Sequence, residues 1–283
     1  MNADRHDPGD QLLVRPGYLA GPGDHDTALD AFHADHPSWS RHRPHDGPDT
    51  VLVSECLTGR VRLSHRPGAG IRWSVVGYDS PIGERAWSAD FDRAVPHEIS
   101  LAVAGTLSSA LAYTGHAYEE ALWGTRSTRS TLAELLADAC WRDVSDERKM
   151  AFEAPDATAG IIRWDNGLFH AAPDAQDHPA TVCLWGGTPV GDGAPKRWQA
   201  FFSATTPTRL ITAALHHLTD PLAASRSRAQ IPAAHRDLVR TSPAPLPGRT
   251  QAATRRTAPF GSTAAAGHPA VSPPTSRTAR RPA

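Results

Sequence analysis

The stretch WSADFDRAVPHEI (Trp87–Ile99) decides the fold, because the chain repeats its pattern in WQAFFSATTPTRL (Trp198–Leu210). In each copy tryptophan, alanine and phenylalanine alternate with other residues, and a period of two predicts a strand with one buried face. A proline follows in each copy, and apolar residues then recur at helical spacing. Each copy is therefore predicted to be a strand that turns into an amphipathic helix.

The two predicted helices differ in how they begin. Thr206 and Pro207 predict an N-cap followed by proline at the first helical position. In the first copy Val95 stands at the cap position, and valine is a poorer cap than threonine by roughly 1 kcal/mol. Eight residues serve as structural markers of the repeat: Trp73, Trp87, Phe91 and Pro96 in the first copy, and Trp185, Trp198, Phe202 and Pro207 in the second.

Both motif tryptophans are predicted to lie in the core. Trp87 and Trp198 share a strand face with alanine and phenylalanine, which is typical of buried residues. The alternative is a pair of exposed aromatics that stack on bases or bind a peptide.

The similarity of the two copies extends upstream. Trp73 and Trp185 lie 14 and 13 residues before the motif tryptophans, and a turn-rich Pro-x-Gly segment follows each of them. This arrangement predicts two neighbouring strands joined by a hairpin. Further upstream, residues 51–65 and 149–164 each predict another strand–turn–strand, and a short helix is predicted before each of these segments.

These elements define the predicted fold class and domains. Hairpins favour antiparallel pairing, because parallel strands need long crossover connections. The fold class is α+β: two tandem repeats, each a small antiparallel sheet packed with helices, followed by a disordered tail. The predicted boundaries are a flexible N-terminus at 1–14, a first α+β repeat unit at 15–115, an inter-repeat linker at 116–127, a second unit at 128–225 and a disordered tail rich in proline, alanine and arginine at 226–283.

Three motifs together resemble the actinobacterial family called domain of unknown function 317. They are GYLAGPGD (Gly17–Asp24), RAWSADFDRAVPHEI (Arg85–Ile99) and RWQAFFSATTPTRLITAALHHLTDP (Arg197–Pro221). The resemblance covers roughly residues 15–225, with two tandem domain copies. It implies occurrence in streptomycetes and their relatives, in some cases beside mobile elements, and it implies no activity and no catalytic residue.

The basic residues of the C-terminal segment are the strongest indication of a partner. Residues 241–283 contain six arginines and no acidic residue, although the formal net charge of the whole chain is −1. Arginines spread in this way can neutralise phosphates and would give salt-dependent, non-specific nucleic-acid binding, whereas the alternative is a solubilising tail. The six are Arg249, Arg255, Arg256, Arg277, Arg280 and Arg281.

Composition favours a cytoplasmic protein. The three cysteines are odd in number and form no Cys-x-x-Cys pair, so we expect thiols in a reducing compartment. The N-terminus lacks the apolar run of a signal peptide, and no apolar stretch reaches the roughly 18 residues of a membrane span. The sequence therefore predicts no contact with a membrane.

Four histidines form the best candidate metal site. His33, His36, His42 and His45 stand at spacings at which imidazoles ligate zinc if turns bring them together. The alternative is a polar, partly exposed helix end and loop rich in histidine. No catalytic residue and no cofactor is predicted, because the chain has neither a Gly-x-Ser-x-Gly elbow nor a phosphate-binding glycine motif.

Three functions are consistent with these observations. The first is an uncharacterised, non-enzymatic binding or interaction module built from two similar α+β units, in which two fused copies mimic a homodimer. The second is a nucleic-acid-associated accessory protein of a mobile element that uses its basic tail. The third is a metal-dependent hydrolase that uses the cluster from His33 to His45. The sequence leaves ligand, protein partner, oligomeric state and pathway open, as well as whether the two units pack together.

Overall fold

An antiparallel sheet of ten strands forms the frame of the fold. The computed structural model describes residues 11–45, 47–113, 120–122, 128–164, 180–187 and 197–244, all within one compact unit, Met1–Leu246. The strands are β1 (Gln11–Arg15), β2 (Ser40–His42), β3 (Thr50–Val53), β4 (Gly59–Leu63), β5 (Ile71–Tyr78), β6 (Arg85–Asp92), β7 (Arg142–Asp143), β8 (Lys149–Glu153), β9 (Ala159–Trp164), β10 (Ala180–Gly187), β11 (Arg197–Ser203), β12 (Ala224–Ser227) and β13 (Arg240–Pro243). The helices are α1 (His25–Asp35), α2 (His97–Ala110), α3 (Thr128–Asp138) and α4 (Thr208–Thr219).

Two five-strand meanders meet at the centre of this sheet. Its strand order is β2-β3-β4-β5-β6-β11-β10-β9-β8-β7, and β6 pairs with β11. We call α1, β2–β6 and α2 the first half, and α3, β7–β11 and α4 the second half. The sequence predicted a separate small sheet in each unit, and the structure corrects this to one continuous sheet. The physical reason is that β6 and β11 each cover an edge that the other would leave unpaired.

Helices α1 to α4 cover one side of the sheet, which we call the helix face. Its core joins strand residues such as Trp73 and Leu184 to helix residues such as Leu29, Leu107 and Leu215. Helix α2 packs against α4 above the centre of the sheet. Because side chains alternate along a strand, the intervening residues point to the opposite side, which we call the back face.

The motif tryptophans lie in the core of the helix face. Trp87 and Trp198 are only 3% and 1% exposed, as their alternation with alanine and phenylalanine predicts. Each indole lies on a glycine of the neighbouring strand: a Cβ added to Gly77 would come within 2.3 Å of Trp87, and one added to Gly186 within 2.6 Å of Trp198. Glycine at these two positions therefore gives the large ring its space.

Trp73 and Trp185 do not occupy matching positions. Trp73 is four residues from Gly77 and therefore shares the helix face with it, whereas Trp185 adjoins Gly186 and therefore points to the back face. The two tryptophans therefore lie on opposite faces of the sheet, and their use as paired markers of a repeat stays a prediction. The sequence already indicates this difference. Trp73 is an even number of residues, 14, before its motif tryptophan, whereas Trp185 is an odd number, 13, before its own.

Both helices that follow the motifs begin one residue later than the sequence predicted. Pro96 and Pro207 are themselves the N-cap residues, and neither makes a side-chain capping hydrogen bond. The Thr206 hydroxyl donates instead to the Ser88 carbonyl at 2.9 Å, so it ties α4 to β6 rather than capping its own helix. Val95, at the corresponding position, is fully buried.

A second sheet contains residues that the sequence assigned to flexible ends. It has three strands in the order β12-β1-β13. Residues 11–14 and 226–244, predicted to belong to a flexible N-terminus and a disordered tail, are therefore ordered in part as strands, because the two chain ends pair with each other. Residues 1–10 and 245–283 and most of the predicted linker at 116–127 lie outside the described residues.

Candidate functional site

The back face of the first half contains a groove of about 380 Å³. Strands β3, β4, β5 and β6 form its floor, and their alternation decides which side chains enter it. On β4, for example, Val61 and Leu63 are buried on the helix face, which places Arg60 and Arg62 on the back face. The lining residues are Val51, Arg60, Arg62, Ile71, Ser74, Val76, Tyr78, Arg85 and Asp90.

Arg60 is held by Tyr78 at one end of the groove. Its guanidinium carbon lies 4.2 Å from the centre of the Tyr78 ring, and its Nη1 donates to the Tyr78 hydroxyl at 3.2 Å. Its Nε is buried and has no hydrogen-bond partner. A buried donor without a partner costs about 1–3 kcal/mol, and because this nitrogen has almost no exposed surface, a ligand in the groove would reach it only if the Arg60 side chain moved.

Arg62 and Asp90 are linked through Ser74. Arg62 Nη2 donates to the Ser74 hydroxyl at 3.3 Å, and that hydroxyl donates to Asp90 Oδ1 at 2.6 Å. Both hydrogen-bonding roles of the serine are therefore filled. Neither Arg60 nor Arg62 forms an ion pair with any carboxylate that the structure describes.

The charge of the groove favours an anion. Three arginines face one aspartate, a formal charge of +2 among the lining residues. Arg60 and Arg62 are two residues apart on one strand face, where like charges repel unless something of opposite sign lies between them. Guanidinium groups bind carboxylate and phosphate oxygens in a bidentate manner, so the arrangement is suited to recognising such a group.

The sequence predictions did not single out these groove residues. A signal was nevertheless present in GRVRL (Gly59–Leu63), where arginine alternates with valine and leucine. Two charges on one side of a strand whose other side is apolar indicate a charged sheet face. The sequence does not show which side chains lie beside these arginines. Tyr78 and Ser74 come next to them only because β5 pairs with β4.

A second polar cluster lies at the start of α2 and is fully occupied by its own contacts. Arg226 is 2% exposed, and its two terminal nitrogens donate to the two Glu98 oxygens at 2.8 and 2.7 Å. It also donates to the Gly21 carbonyl, so the ion pair joins β12, α2 and the segment before α1. Burial opposes the charged form of Glu98, but the hydrogen bonds and charge of Arg226 outweigh it and hold the pKa of Glu98 below its ordinary value. We assign this cluster to stability.

Two histidines beside that ion pair have lowered pKa values. Burial lowers the pKa of His25 to about 4, and its Nδ1 accepts a hydrogen bond from the Trp73 indole at 2.7 Å. Burial also lowers the pKa of His97, and the nearby Glu98 only partly offsets this effect. The Trp73 bond requires His25 Nδ1 to be unprotonated, so the neutral ring is part of the packing.

The four histidines of the predicted metal site have separate partners. His33 Nε2 lies 3.0 Å from the Trp39 carbonyl, His36 Nδ1 lies 3.0 Å from the Ser108 hydroxyl and His42 Nε2 lies 2.9 Å from the Ser40 hydroxyl. His45 also has a contact of its own. In the part of the chain that the structure describes, no group of three or more metal-binding side chains is brought together.

Ser108 is hydrogen-bonded to His36 beside a hollow of about 410 Å³, and the sequence did not predict this contact. The Ser108 hydroxyl also accepts a hydrogen bond from the Trp39 indole at 3.0 Å, which satisfies a buried donor. Cys56 lines the same hollow, and hydrogen bonds from Ser54 and Thr58 outweigh burial and lower the pKa of its thiol. The Ser108 contacts tie α1 to α2, and we assign them to packing.

Comparison with known proteins gives one family. The family model described as SPDY, domain of unknown function (DUF317), matches residues 58–112, from the turn before β4 to just beyond α2. The match supports the family that the sequence motifs resemble, and it includes Arg60, Arg62 and the first motif. No curated protein and no solved structure matches the chain. None of the described helices is long and apolar enough to span a membrane.

Proposed function

We propose that the protein is a non-enzymatic binding module made of two similar α+β halves, and that the groove of the first half holds an anionic ligand. The observation that carries this proposal is the set of arginines in the groove, two of which lack a carboxylate partner among the described residues. A volume of about 380 Å³ is at the lower end of the range for small-molecule sites.

Matching turns support a duplicated scaffold. The turn between β3 and β4 bonds Leu57 N to Ser54 O and Ser54 N to Gly59 O. The turn between β8 and β9 has the same pattern, in which Ala157 N bonds to Ala154 O and Ala154 N bonds to Ala159 O. Leu57 and Ala157 both have positive φ angles, of 63° and 56°, although neither is glycine. Hairpin turns of one type place a residue in the left-handed region at the same point, usually glycine, so two turns that both use another residue there are consistent with a duplicated scaffold.

Matching side-chain bonds at the centre of the sheet support the same proposal. Ser88 N donates to the Ser203 hydroxyl at 3.1 Å, and Gln199 N donates to Asp92 Oδ2 at 2.6 Å. Ser88 and Gln199 each follow a motif tryptophan, and Ser203 and Asp92 each follow a motif phenylalanine. The two bonds are therefore related as a local twofold axis between β6 and β11 would relate them.

The groove contains the chemistry of recognition. Arginine and tyrosine recognise charge and shape, and Val51, Val76 and Ile71 add an apolar wall. Asp90 accepts a hydrogen bond from the Ser74 hydroxyl, which holds the carboxylate in place. Its remaining acceptor sites are suited to orienting a hydrogen-bond donor of the ligand. We also propose a cytoplasmic location, which the odd number of cysteines supports.

A thermal-unfolding screen tests the binding proposal. Wild type, Arg62→Gln and the control Arg142→Gln would be screened against small anionic metabolites. Arg142 is an exposed arginine on β7 of the second half, paired with Glu153. A ligand at one hundred times its dissociation constant adds about 2.7 kcal/mol to stability, and a 10-fold weaker site gains only about 1.4 kcal/mol at the same concentration. Hits should therefore raise the melting temperature of wild type and of the control clearly more than that of Arg62→Gln. Equal effects on all three proteins, or reproducible turnover of a hit, would contradict the proposal.

The predicted role of the basic tail stays a separate prediction. Arg249, Arg255, Arg256, Arg277, Arg280 and Arg281 lie outside the described residues. Nucleic-acid binding at low salt by the full chain, lost on deletion of residues 241–283, would support it.

A further inference from the structure

We propose that the ligand of the groove is a small phosphate monoester that also carries a hydrogen-bond donor. This inference rests on the binding proposal above and names the chemical class of the ligand. It follows from three features of the groove: its charge, the donors that remain after its internal hydrogen bonds are made, and the position of Asp90.

The charge of the groove matches a dianion. Arg60 and Arg62 contribute two positive charges to the groove, and neither forms an ion pair with a carboxylate that the structure describes. A phosphate monoester has about −1.5 to −2 charges near neutral pH, whereas a monocarboxylate or a phosphodiester has one. A phosphate monoester therefore balances this charge with a single group.

The donors that remain can converge on phosphate oxygens. Arg60 Nη1 donates one hydrogen bond to Tyr78, and the guanidinium has further N–H groups on its two terminal nitrogens. The Tyr78 hydroxyl accepts a hydrogen bond from Arg60, so its own hydrogen is available to a ligand. Arg62 adds guanidinium donors from the same side of β4. Phosphate has the three acceptor oxygens that such a set of donors would fill.

Asp90 adds a requirement on the rest of the ligand. Its Oδ1 is held by Ser74, and a carboxylate has further acceptor sites. In a groove that attracts anions, this carboxylate would repel a second phosphate and attract a hydroxyl or ammonium group. We therefore expect glycerol 3-phosphate to bind more tightly than inorganic phosphate, and Asp90→Asn to reduce that preference.

Titrations followed by NMR test the ligand class directly. The probes are inorganic phosphate, glycerol 3-phosphate, citrate and a short single-stranded DNA, and the readout is the Nε–H signal of Arg60 in the full chain. We expect both phosphates to shift this signal saturably. Removing one charge-assisted contact in Arg62→Gln should weaken phosphate binding roughly 10-fold or more, while Arg142→Gln should leave it unchanged.

The outcomes separate the two proposals. Tighter binding of citrate than of either phosphate, with the same loss in Arg62→Gln, would overturn the phosphate class and keep the binding module. Tighter binding of the DNA at this signal would make the ligand a nucleic acid and would also overturn the monoester. If no probe moves the Arg60 signal, both the ligand class and the anion-binding function proposed for the groove are wrong.

Discussion

The two halves of the sheet have the same order of elements but opposite chemistry on their back faces. In the first half the back face presents Arg62, Ser74 and Asp90, whereas in the second half it presents Cys183 and Phe201, which are buried in an apolar cluster with Ile71. Asp90 and Phe201 are direct partners across the central strand pair. In the proposed function, the scaffold is common to both halves and the site belongs to one of them.

The cations of the two back faces differ in the same way. Arg60 stacks on Tyr78 within the groove, and Arg197 stacks on Trp185 with its guanidinium carbon 3.8 Å from the ring centre. An arginine–aromatic pair therefore occurs in both halves. Only the first half adds Arg62 and Asp90 around it, and these residues turn a stacking contact into a charged groove.

The largest expected effect tests the shared scaffold at its centre. Phe91 and Phe202 are fully buried, and their rings meet edge to face with centres 5.9 Å apart. Replacing either by alanine leaves a cavity and should cost about 3–5 kcal/mol in the free energy of unfolding. Chemical denaturation should give similar losses for both variants and one transition in each. A loss below about 1 kcal/mol for only one of them would break the equivalence of the halves.

The next effect concerns a position at which the halves differ. Asp92 Oδ1 accepts hydrogen bonds from Ala94 N and Val95 N, and Asp92 Oδ2 accepts one from Gln199 N. Ser203 stands at the related position of the second half. Burial raises the pKa of Asp92 to about 6, and these hydrogen bonds only partly offset it. Because the folded state then binds the proton more tightly than the unfolded state, Asp92 contributes stability at low pH that is lost as the pH rises from about 4 to about 6.

Comparison with Asp92→Asn isolates this contribution. The wild type should lose up to about 3 kcal/mol relative to the variant over that pH interval, and the difference should be constant above it. Ser203→Ala should show no such slope, since serine does not titrate in this range. A difference between wild type and Asp92→Asn that does not change from pH 4 to pH 7 would contradict the assignment.

A smaller effect tests the contact between glycine and tryptophan in each half. Gly77→Ala and Gly186→Ala each place a methyl group inside the space of an indole ring, and each should cost about 1–3 kcal/mol. Gly105→Ala is the matched control, because nothing lies within 4 Å of its added Cβ. Since Gly105 is inside helix α2, that change should stabilise by about 0.5–1 kcal/mol. Melting curves in which Gly105→Ala is as destabilising as the other two would show that the clash is not the cause.

The smallest effect separates the site from the scaffold. Arg62→Gln changes an exposed groove residue, and it should alter the free energy of unfolding by no more than about 0.5 kcal/mol. Arg142→Gln removes an exposed ion pair with Glu153 and should cost no more than about 1 kcal/mol. A cost well above 1 kcal/mol for Arg62→Gln would mean that the groove arginines serve folding rather than binding.

The sequence was sufficient where the structure depends on local periodicity. Alternation at Trp87 and Trp198 predicted buried strands, and the helical spacing after Pro96 and Pro207 predicted α2 and α4 to within a residue of their starts. Pairing between distant segments left no such signal. Nothing local indicates that β6 joins β11, or that Val14 pairs with Ala224 in a second sheet.

The candidate site was harder to predict than the fold. The histidine spacing from His33 to His45 suggested a metal site, but α1 and the following strand direct these side chains to different partners. The groove depends on which strand lies beside β4, and it brings Arg60 to Tyr78 across 18 residues of sequence. Side chains that meet only through sheet register cannot be grouped from a single sequence.

Mapping of backbone amide shifts with glycerol 3-phosphate tests the central claim that one half carries the site on a shared scaffold. The account predicts saturable shifts confined to β3–β6 around Arg60, Arg62 and Asp90, with β9 and β10 unchanged. Shifts of equal size on β9 and β10, or saturable binding elsewhere with the first half unchanged, would contradict it.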